Sequence, residues 1–564
     1  MRTFIDALRS NATDTDRAVT FVRTNGQERR VSYTELWMEA AGRAKVLREF
    51  GWAKGDRIGL ILPEPDEFVL SFMGALVAGL VAVPMYPPPT LAKMDAYGDT
   101  VRHILRASGA RGLITNDTMK AFVDSQLLER GENRNTVFER DIRGQTGNDY
   151  ALPDVFPNDL AFLQFTSGST AEPKGVMVTH ENLRVNSHAI MFEGLRSTPD
   201  DRGVSWLPLY HDMGLIGFVI APIFASVQVV FLPTSSFIRR PSIWLDTIHK
   251  HRGTITFAPN FAFELATRAI NPNVSAAWDL SCLRALGCGA EPIVPDVLRT
   301  FLKRFEPNGL SHQSILPCYG MAEATLAITF HQLGTSLVTD CVNATSLSSG
   351  RAEPAKKDEP TLEFVSCGQT FSEHEVEIVN AADHILQERE VGEIRVRGPS
   401  VTAGYYGNEE ATANVFRDGW LYTGDLGYHV DGHLFICGRL KDLIILHGKN
   451  YYPQDIERVA SKMDGIRDGQ CVAFSRIGPQ GAEEAVLVAE SKRTGDARRK
   501  LVEDVTSAVR AECGVVLAEI VFIKRGTLPK TSSGKVRRRE TKLRLERGEL
   551  EIVLDSEQSE GEGA

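Results

Sequence analysis

The sequence lacks the cysteine and charge patterns that mark several classes of protein. Its eight cysteines include no C-x-x-C pair, so neither a zinc site nor a dithiol redox motif is predicted. So few thiols in a chain of 564 residues are typical of a reducing compartment, and we expect a cytoplasmic protein.

The net charge of −10 argues against nucleic acid as a partner, because phosphate backbones require a basic surface. The basic run 535–539 is local, and by itself it is typical of a solvated face.

Long apolar runs are also missing. The N-terminus carries no apolar stretch of the kind that a signal peptide needs. Phe68–Val83 is uncharged but short, and Pro222 and Gln228 interrupt the uncharged stretch Gly214–Pro233. A membrane-spanning helix needs about 20 predominantly apolar residues. Both stretches therefore predict a buried helix that runs into a buried strand, and the protein is not expected to span a membrane.

The apolar runs that are present alternate with helical patterns. Several are apolar on both faces, as parallel strands covered by helices should be: Arg57–Leu62, Leu160–Phe165, Thr254–Pro259 and Ile315–Tyr319. This alternation predicts an α/β fold built in layers. At roughly 100–200 residues per domain, the chain should form two to four folded units. No internal repeat is present.

The character of the sequence changes along the chain and predicts domain boundaries. Residues 1–440 are expected to form a large domain, in which 365–440 alternate with a two-residue period and predict a β-rich subdomain. Residues 335–360 are polar and predict an inserted loop. Residues 441–550 mix short strands with the helical pattern Arg498–Cys513 and predict a small, mobile α+β domain. Residues 551–564 are expected to be a disordered acidic tail.

One segment has the residues of a phosphate-binding loop. It reads Thr166-Ser167-Gly168-Ser169-Thr170-Ala171-Glu172-Pro173-Lys174-Gly175 and follows a predicted strand. Glycine permits tight turns, hydroxyl and backbone groups can surround phosphate oxygens, and the lysine adds a positive charge. The segment is not a Walker A loop, because G-x-x-x-x-G-K-[ST] is absent. Taken alone, it could equally be a Ser/Gly surface loop.

Four further segments, in order along the chain, make a resemblance specific. They are Tyr319-Gly320-Met321-Ala322-Glu323-Ala324-Thr325, Trp420-Leu421-Tyr422-Thr423-Gly424-Asp425, Gly438-Arg439-Leu440-Lys441-Asp442 and Leu528-Pro529-Lys530-Thr531-Ser532-Ser533-Gly534-Lys535. Together with the Ser/Gly segment, they resemble the signatures of the adenylate-forming superfamily, which contains acyl-CoA synthetases, luciferases and peptide-synthetase adenylation domains. The resemblance covers nearly the whole chain. It implies that a carboxylic acid is activated with ATP and Mg²⁺ to an enzyme-bound acyl-adenylate.

The resemblance also implies roles for individual residues. It assigns catalytic roles to Lys535, His211, Thr166 and Glu323, and it identifies Lys441 as the hinge between the domains. The residues expected to contact ATP or AMP are Thr166, Ser167, Gly168, Ser169, Thr170, Lys174, Gly289, Ala290, Glu291, Pro292, Tyr319, Gly320, Met321, Ala322, Asp425, Arg439 and Lys535.

These roles agree with the chemistry of adenylation, in which a carboxylate attacks the α-phosphorus of ATP. Two anions must meet, so stabilisation of negative charge dominates. Glu323 is the expected Mg²⁺ ligand, because Mg²⁺ takes one or two protein carboxylates together with phosphate oxygens. Asp425 suits a bidentate contact to ribose hydroxyls, and Lys535 supplies a cation to the carboxylate and the α-phosphate. Without their motifs these residues would be read as a surface glutamate, a turn aspartate and a tail lysine.

Within the superfamily, several segments resemble fatty acyl-AMP ligases more than ordinary acyl-CoA synthetases. They are Val83–Pro88, Phe162–Phe165, Trp206–Gly214, Ala258–Phe263 and Val365–Gly368. The inserted segment 335–360 occurs where that family carries an insertion that restrains domain rotation. The resemblance implies transfer of the acyl group to the phosphopantetheine thiol of an acyl carrier protein, usually of a polyketide or peptide synthase. Ala171-Glu172 departs from the usual pattern of the phosphate loop.

The sequence leaves two interpretations open for the proposed acyl tunnel and two for His211. An apolar tunnel for the acyl chain would be lined by Phe218, Ile220, Phe224, Phe257, Phe261 and Phe263. Each of these is also consistent with an ordinary core position. His211 is either a gate beside the substrate carboxylate, as the resemblance implies, or a structural histidine.

Three alternatives to a fatty acyl-AMP ligase remain at this point. An acyl-CoA synthetase that uses free coenzyme A would share every catalytic motif. A non-catalytic nucleotide-binding protein is disfavoured by intact Lys535, Glu323, Asp425 and Arg439. An acyl hydrolase would need a G-x-S-x-G nucleophile elbow, which the sequence does not contain.

Overall fold

The computed structural model describes residues 2–88, 94–132, 135–144, 152–166, 172–446, 449–467, 469–478, 483–531 and 535–553. The α-helices are α1 Phe4–Ser10, α2 Tyr33–Glu49, α3 Pro65–Val77, α4 Met94–Ala107, α5 Lys120–Phe122, α6 Glu139–Ile142, α7 His180–His188, α8 Asp212–Gly214, α9 Ala221–Phe224, α10 Thr234–Arg239, α11 Ser242–His251, α12 Asn260–Ala269, α13 Pro272–Ser275, α14 Pro295–Phe305, α15 Ala344–Ser348, α16 Glu409–Ala413, α17 Pro453–Ser461, α18 Gly495–Cys513 and α19 Arg538–Glu546. Short 3₁₀ segments are Asn11–Thr13, Asp117–Met119, Glu306–Asn308, His312–Ser314, Ala322–Ala324 and Leu440–Asp442, and π-helical segments are Val123–Leu128, Ala189–Gly194 and Leu215–Ile220.

The β-strands are β1 Ala18–Val22, β2 Glu28–Ser32, β3 Arg57–Ile61, β4 Val81–Pro84, β5 Gly112–Thr115, β6 Asn135–Phe138, β7 Leu160–Thr166, β8 Lys174–Thr179, β9 Arg202–Ser205, β10 Gln228–Phe231, β11 Ile255–Ala258, β12 Ala285–Cys288, β13 Ile315–Gly320, β14 Ala327–Phe330, β15 Thr339–Asn343, β16 Thr361–Val365, β17 Gln369–Thr370, β18 Glu375–Val379, β19 Gly392–Arg397, β20 Phe416–Arg417, β21 Trp420–Val430, β22 His433–Arg439, β23 Ile444–Leu446, β24 Lys449–Tyr451, β25 Cys471–Ile477, β26 Glu483–Glu490 and β27 Leu517–Ile523.

Two mixed sheets form the body of the large domain. The first has nine strands in the order β17-β14-β13-β12-β11-β9-β10-β1-β2, and the second has six in the order β6-β5-β3-β4-β7-β8. The central strands of both sheets pair in parallel, and antiparallel strands occur towards the edges. Helices α2, α3 and α7 share one hydrophobic core with residues of both sheets. This arrangement confirms the predicted α/β layers.

The two uncharged stretches behave as the sequence predicted. Every residue of α3 is buried, and the chain continues from this helix into the buried strand β4. The second stretch forms the segment Leu215–Ile220, α9 and the buried strand β10. Among the described residues, no helix is long and apolar enough to cross a membrane.

The range 365–440, predicted as a β-rich subdomain, contains a five-stranded sheet. Strands β18, β19, β21 and β20 form one antiparallel sheet, and β22 pairs with β21. The register of β21 and β22 places Asp425 opposite Arg439. The subdomain therefore brings two of the predicted nucleotide-binding residues side by side.

The prediction that residues 335–360 form an inserted loop is wrong. The segment contains β15, which pairs with β16 in an antiparallel hairpin, and the helix α15. The segment is mostly polar, and this composition hid the few apolar side chains that order it. Two of them, Val342 and Leu347, are buried in a cluster with Tyr428, Phe435 and Tyr452. These contacts order the segment, because burial of its apolar residues offsets the entropy lost by the backbone.

The small domain has a core of its own, which begins at Ile444, just after the boundary predicted at 441. Strands β25, β26 and β27 form its sheet, and α17 and α18 pack against it. The helical pattern predicted from Arg498 begins slightly earlier, at Gly495. Ile552 pairs with Ile523, and the Val553 amide donates to the Phe522 carbonyl. The ordered chain thus continues past 550, and the remainder of the predicted tail, 554–564, lies outside the described residues.

Candidate active site

The phosphate-loop segment connects two antiparallel strands. Thr166 ends β7, Lys174 begins β8, and the two residues are paired in register. Ser167, Gly168, Ser169, Thr170 and Ala171 lie outside the described residues, so their predicted contacts remain predictions. Glu172 is exposed, and its Oε2 lies 3.8 Å from His103 Nδ1. The hairpin therefore places Thr166 and Lys174 at the two ends of the loop, where both can face a bound phosphate.

Lys174 and Glu323 are joined through Tyr405. The Lys174 Nζ lies over the Tyr405 ring, 5.1 Å from its centroid. The Tyr405 hydroxyl donates to Glu323 Oε1 at 2.7 Å. Tyr405 was not among the predicted site residues, because no spacing or charge in Gly404-Tyr405-Tyr406 marks it. Only the packing of the chain reveals that it contacts both.

Glu323 is buried on the 3₁₀ turn that follows β13. Burial raises the pKa of its carboxyl group and the negative charge of Asp212 adds to the increase, while the Tyr405 hydroxyl and the positive charge of Arg439 oppose it. A buried carboxylate without a cationic partner is costly. The site would therefore gain from a cation beside Glu323.

Asp425 is held by two neighbours. Its Oδ1 lies 3.0 Å from Arg439 Nε, and its Oδ2 accepts a hydrogen bond of 2.7 Å from the Tyr319 hydroxyl. Asp425 raises the pKa of the Arg439 guanidinium. Three predicted residues from β13, β21 and β22 thus meet, and the carboxylate is fixed in orientation before a ligand arrives.

The segment Gly289–Pro292, which was predicted to contact ATP or AMP, follows the end of β12. Ala290 has a φ of +69°, a conformation that is uncommon for a residue with a side chain. A Cβ on Gly289 would lie 2.7 Å from Cys318 Sγ, so only glycine lets this segment pack so closely on β13. Glu291 Oε1 accepts a hydrogen bond of 2.6 Å from the Phe261 amide. The backbone of the segment is therefore tightly constrained.

The motif after β9 supplies an imidazole and a carboxylate. His211 precedes α8, and its Nδ1 lies 2.5 Å from Asp212 Oδ1. Burial tends to raise the pKa of the Asp212 carboxyl, but His211 and Lys535 outweigh this effect and lower the pKa overall. Asp212 was not assigned a role from the sequence, although its charge next to His211 was a usable signal.

Lys535 comes from the small domain into this group of residues. It lies on a hairpin in which the Thr531 amide donates to the Lys535 carbonyl at 2.7 Å. Burial lowers the pKa of its amine, while the carboxylates of Asp212, Glu291 and Asp425 act in the opposite direction. A lysine from the small domain and three carboxylates from the large domain therefore share one electrostatic environment.

Other predicted residues are distributed more widely. Lys441 is exposed on the turn Leu440–Asp442, directly after Arg439. The predicted tunnel residues all lie in or against one large hydrophobic cluster. Phe218 packs against Phe257, Phe261 against Trp206, Phe263 against Trp244, and Phe224 against Phe4, while Ile220 is buried in the core. The tunnel remains a prediction.

Comparisons with known proteins show which family the chain resembles. Residues 8–406 match the family described as AMP-binding enzyme, and residues 441–553 match the AMP domain of Disco-interacting protein 2-like proteins. The putative acyl-CoA synthetase of Caulobacter vibrioides is 38% identical over 519 residues, which cover 90% of this chain and 89% of that protein. The medium-chain-fatty-acid–[acyl-carrier-protein] ligase JamA of Moorena producens is 33% identical over 575 residues, covering 97% and 96%. A solved structure from studies of the fatty acyl-adenylate ligases of E. coli and L. pneumophila has a TM-score of 0.91 and 36% identity, covering 97% of this chain and 98% of that one.

Proposed function

The chain belongs to the family of AMP-binding enzymes, and we propose that within this family it is a fatty acyl-AMP ligase that serves an acyl carrier protein. In the first step, a carboxylate oxygen of the fatty acid bonds to the α-phosphorus of ATP, and pyrophosphate leaves. In the second step, the phosphopantetheine thiol of the carrier bonds to the acyl carbon, and AMP leaves as the thioester forms.

The observation that carries this proposal is the electrostatic environment of Lys535. Its side chain comes from the small domain, yet its pKa responds to Asp212, Glu291 and Asp425 of the large domain. An ammonium group placed there can offset negative charge where a fatty-acid carboxylate approaches ATP. Fixed charges of this kind lower the barrier because they need no rearrangement during the reaction.

The other residues would position the nucleotide and the acid. Asp425, held by Arg439 and Tyr319, is suited to ribose hydroxyls. Thr166 and Lys174 would contact phosphate oxygens, together with the loop between them. His211 would lie beside the substrate carboxylate. We further infer that Lys441 is the hinge about which the small domain turns between the two steps.

Mg²⁺ is the metal that the family implies, and the chemistry of Glu323 fits it. No group of three or more acidic, histidine or cysteine side chains suited to a metal occurs in the described ranges. Mg²⁺ does not need such a group, since it binds one or two carboxylates plus phosphate oxygens and water. The buried Glu323 would provide that carboxylate. When bound, Mg²⁺ would neutralise charge on the phosphates.

The acceptor is inferred from the inserted hairpin and from the relatives. Leu347 of α15 shares a hydrophobic cluster with Tyr452 of the small domain. On the other side of the hairpin, Arg299 of the large domain donates to Thr339 Oγ1 at 3.4 Å and to Glu363 Oε2 at 2.9 Å. Contacts of the insertion with both domains support a restraint on rotation, which disfavours free coenzyme A. We infer a cytoplasmic carrier protein of a polyketide or peptide synthase as the acceptor.

A two-stage assay tests both steps. The protein is incubated with ATP, Mg²⁺ and a series of fatty acids, and pyrophosphate release and acyl-adenylate are measured. Free coenzyme A or a phosphopantetheinylated carrier protein is then supplied. We expect adenylate formation, little acyl-CoA and abundant acyl-carrier product.

Two outcomes would contradict the proposal at different levels. Abundant acyl-CoA would establish the alternative, a fatty acyl-CoA synthetase that uses free coenzyme A. Failure to release pyrophosphate with any acid would reject both enzymes. Deletion of α15 and its flanking residues, with a Gly-Ser replacement, provides a matched comparison, since it should raise acyl-CoA formation if the hairpin restrains rotation.

A further inference from the structure

Tyr405 lies on a segment that none of the five signature motifs contains, yet it makes two contacts inside the site. Its side chain is buried, with 8% of its surface exposed. The hydroxyl donates to Glu323 Oε1 at 2.7 Å, and the ring face receives the Lys174 cation 5.1 Å from its centroid. Glu323, the proposed metal ligand, is therefore held by the hydroxyl of Tyr405, and Lys174 of the phosphate loop is held by its ring.

The backbone around Tyr405 is fixed to the same two places. The Met177 amide donates to the Gly404 carbonyl at 3.0 Å, and the Tyr406 amide donates to the Gly175 carbonyl at 2.8 Å. The segment thus pairs with β8, the strand that begins at Lys174. Upstream, the Thr402 amide donates to the Glu323 carbonyl at 2.9 Å. Tyr405 cannot shift without disturbing either β8 or the turn that carries Glu323.

Gly404 explains how the chain can place Tyr405 so closely. Its φ is +122°, and a Cβ at this position would lie 2.3 Å from Thr412 Cγ2. A residue with a side chain would therefore clash and would also be strained. The conformation of Gly404 directs the next residue towards Glu323.

We propose that Tyr405 is a positioning residue that sets the Glu323 carboxylate and the Lys174 ammonium against the same phosphate groups. The proposal rests on the proposed function for the identity of the ligand, MgATP. The hydroxyl removes the rotational freedom of Glu323, as partners of metal-binding carboxylates do. The ring keeps Lys174 at the mouth of the loop until phosphate oxygens attract it.

Two substitutions separate the two contacts. Tyr405→Phe retains the ring and removes the hydroxyl, so we expect metal affinity to fall by about 10–100-fold. Binding of ATP without metal should not change, and saturating Mg²⁺ should restore kcat. Tyr405→Leu removes both contacts, so ATP binding without metal should also weaken, by about 2–5-fold.

The measurements include readouts that do not depend on turnover. Mn²⁺ binding is followed by electron paramagnetic resonance in the presence of a non-hydrolysable ATP analogue, and binding of that analogue in EDTA is followed by calorimetry. Tyr406→Phe serves as the matched control, because its contact with β8 uses the backbone amide and survives the change. The melting temperature of each variant reports whether it folds.

The results decide between positioning and a merely structural role. Weaker Mn²⁺ binding in Tyr405→Phe, with unchanged binding of the analogue in EDTA and recovery at high Mg²⁺, supports the proposal. Unchanged Mn²⁺ affinity in a folded Tyr405→Phe protein would overturn it, as would a loss of kcat that Mg²⁺ does not restore. If the wild-type protein activates no fatty acid, the proposed function is wrong. The Mn²⁺ and analogue binding measurements would still test whether Tyr405 positions Glu323 and Lys174.

Discussion

Asp425 and Arg439 are cross-strand partners in β21 and β22, and the Arg439 Nε lies 3.0 Å from Asp425 Oδ1. Tyr319, from a different sheet, donates to the other carboxylate oxygen. The carboxylate is thus held from both sides and needs no reorganisation to accept hydrogen bonds from two adjacent hydroxyls. Such preorganisation would reduce the entropic cost of binding a ribose, the role proposed for Asp425.

Asp425→Ala should weaken ATP binding while the fold is kept. Hydrogen bonds to a charged group contribute about 1.5–3 kcal/mol, so the KM for ATP should rise by roughly 10–150-fold. The KM is measured by pyrophosphate release with a saturating fatty acid. Asp431→Asn is the control, because Asp431 lies at the turn of the same hairpin and its φ of +50° is one that asparagine tolerates. An equal effect in both variants would show that the hairpin, not the carboxylate, matters.

Lys535→Ala should remove most of the adenylation activity. Loss of one preorganised charge-stabilising group typically costs about 10²–10³-fold in rate, and the measurement is the rate of pyrophosphate release at saturating ATP. Transfer from chemically prepared acyl-adenylate to the carrier should be retained, because that step needs no attack on phosphorus. Arg539→Ala, which removes an exposed cation on α19, should change neither step. A Lys535→Ala protein that forms adenylate at the wild-type rate would show that Lys535 has another role.

The rate of adenylation should fall at alkaline pH as the Lys535 amine loses its proton. Burial lowers its pKa below the ordinary 10.5, so the ammonium form is lost as pH rises through a value below 10.5. We therefore expect kcat/KM for the fatty acid, which reflects the free enzyme, to decline on the alkaline side. Lys535→Arg should be slower but should lack this decline, because a guanidinium remains charged. A decline at the same pH in Lys535→Arg would assign it to a different group.

His180 should make the large domain sensitive to acid. This residue begins α7, is 2% exposed, and burial lowers its pKa to about 4. The unfolded chain binds a proton near pH 6.5, so stability is complete above that pH and falls as pH decreases towards about 4. Over the whole window the loss amounts to about 3 kcal/mol.

The comparison that tests this effect is His180→Gln against His188→Gln. His188 lies on the same helix with 61% of its side chain exposed, so its replacement should leave the acid dependence unchanged. Thermal midpoints measured at pH 7.5 and pH 5 should differ less for His180→Gln than for the wild-type protein. If both variants keep the wild-type difference, another group causes the acid sensitivity.

The local character of the chain could be predicted from the sequence because local patterns decide it. The range 365–440, predicted to be β-rich from its two-residue alternation, contains the strand Glu375–Val379. Runs that are apolar on both faces became the buried strands β3, β11 and β13. The inserted segment failed this test, because its strand β15 alternates weakly and its polar composition suggested a loop. Its order comes from partners such as Tyr428 and Tyr452, which are distant in sequence.

The sequence by itself thus determined the family, the α/β class and the identity of most residues of the proposed site, since each motif combines glycines, hydroxyls or charges in a short window. The tertiary structure alone decided how they meet. The charge of Asp212 acts on Lys535 across two domains, and Tyr405 joins Glu323 to Lys174 without any recognisable motif. The physical reason is that such contacts depend on strand order, sheet register and domain packing, which set distances between residues hundreds of positions apart and leave no local periodicity to read.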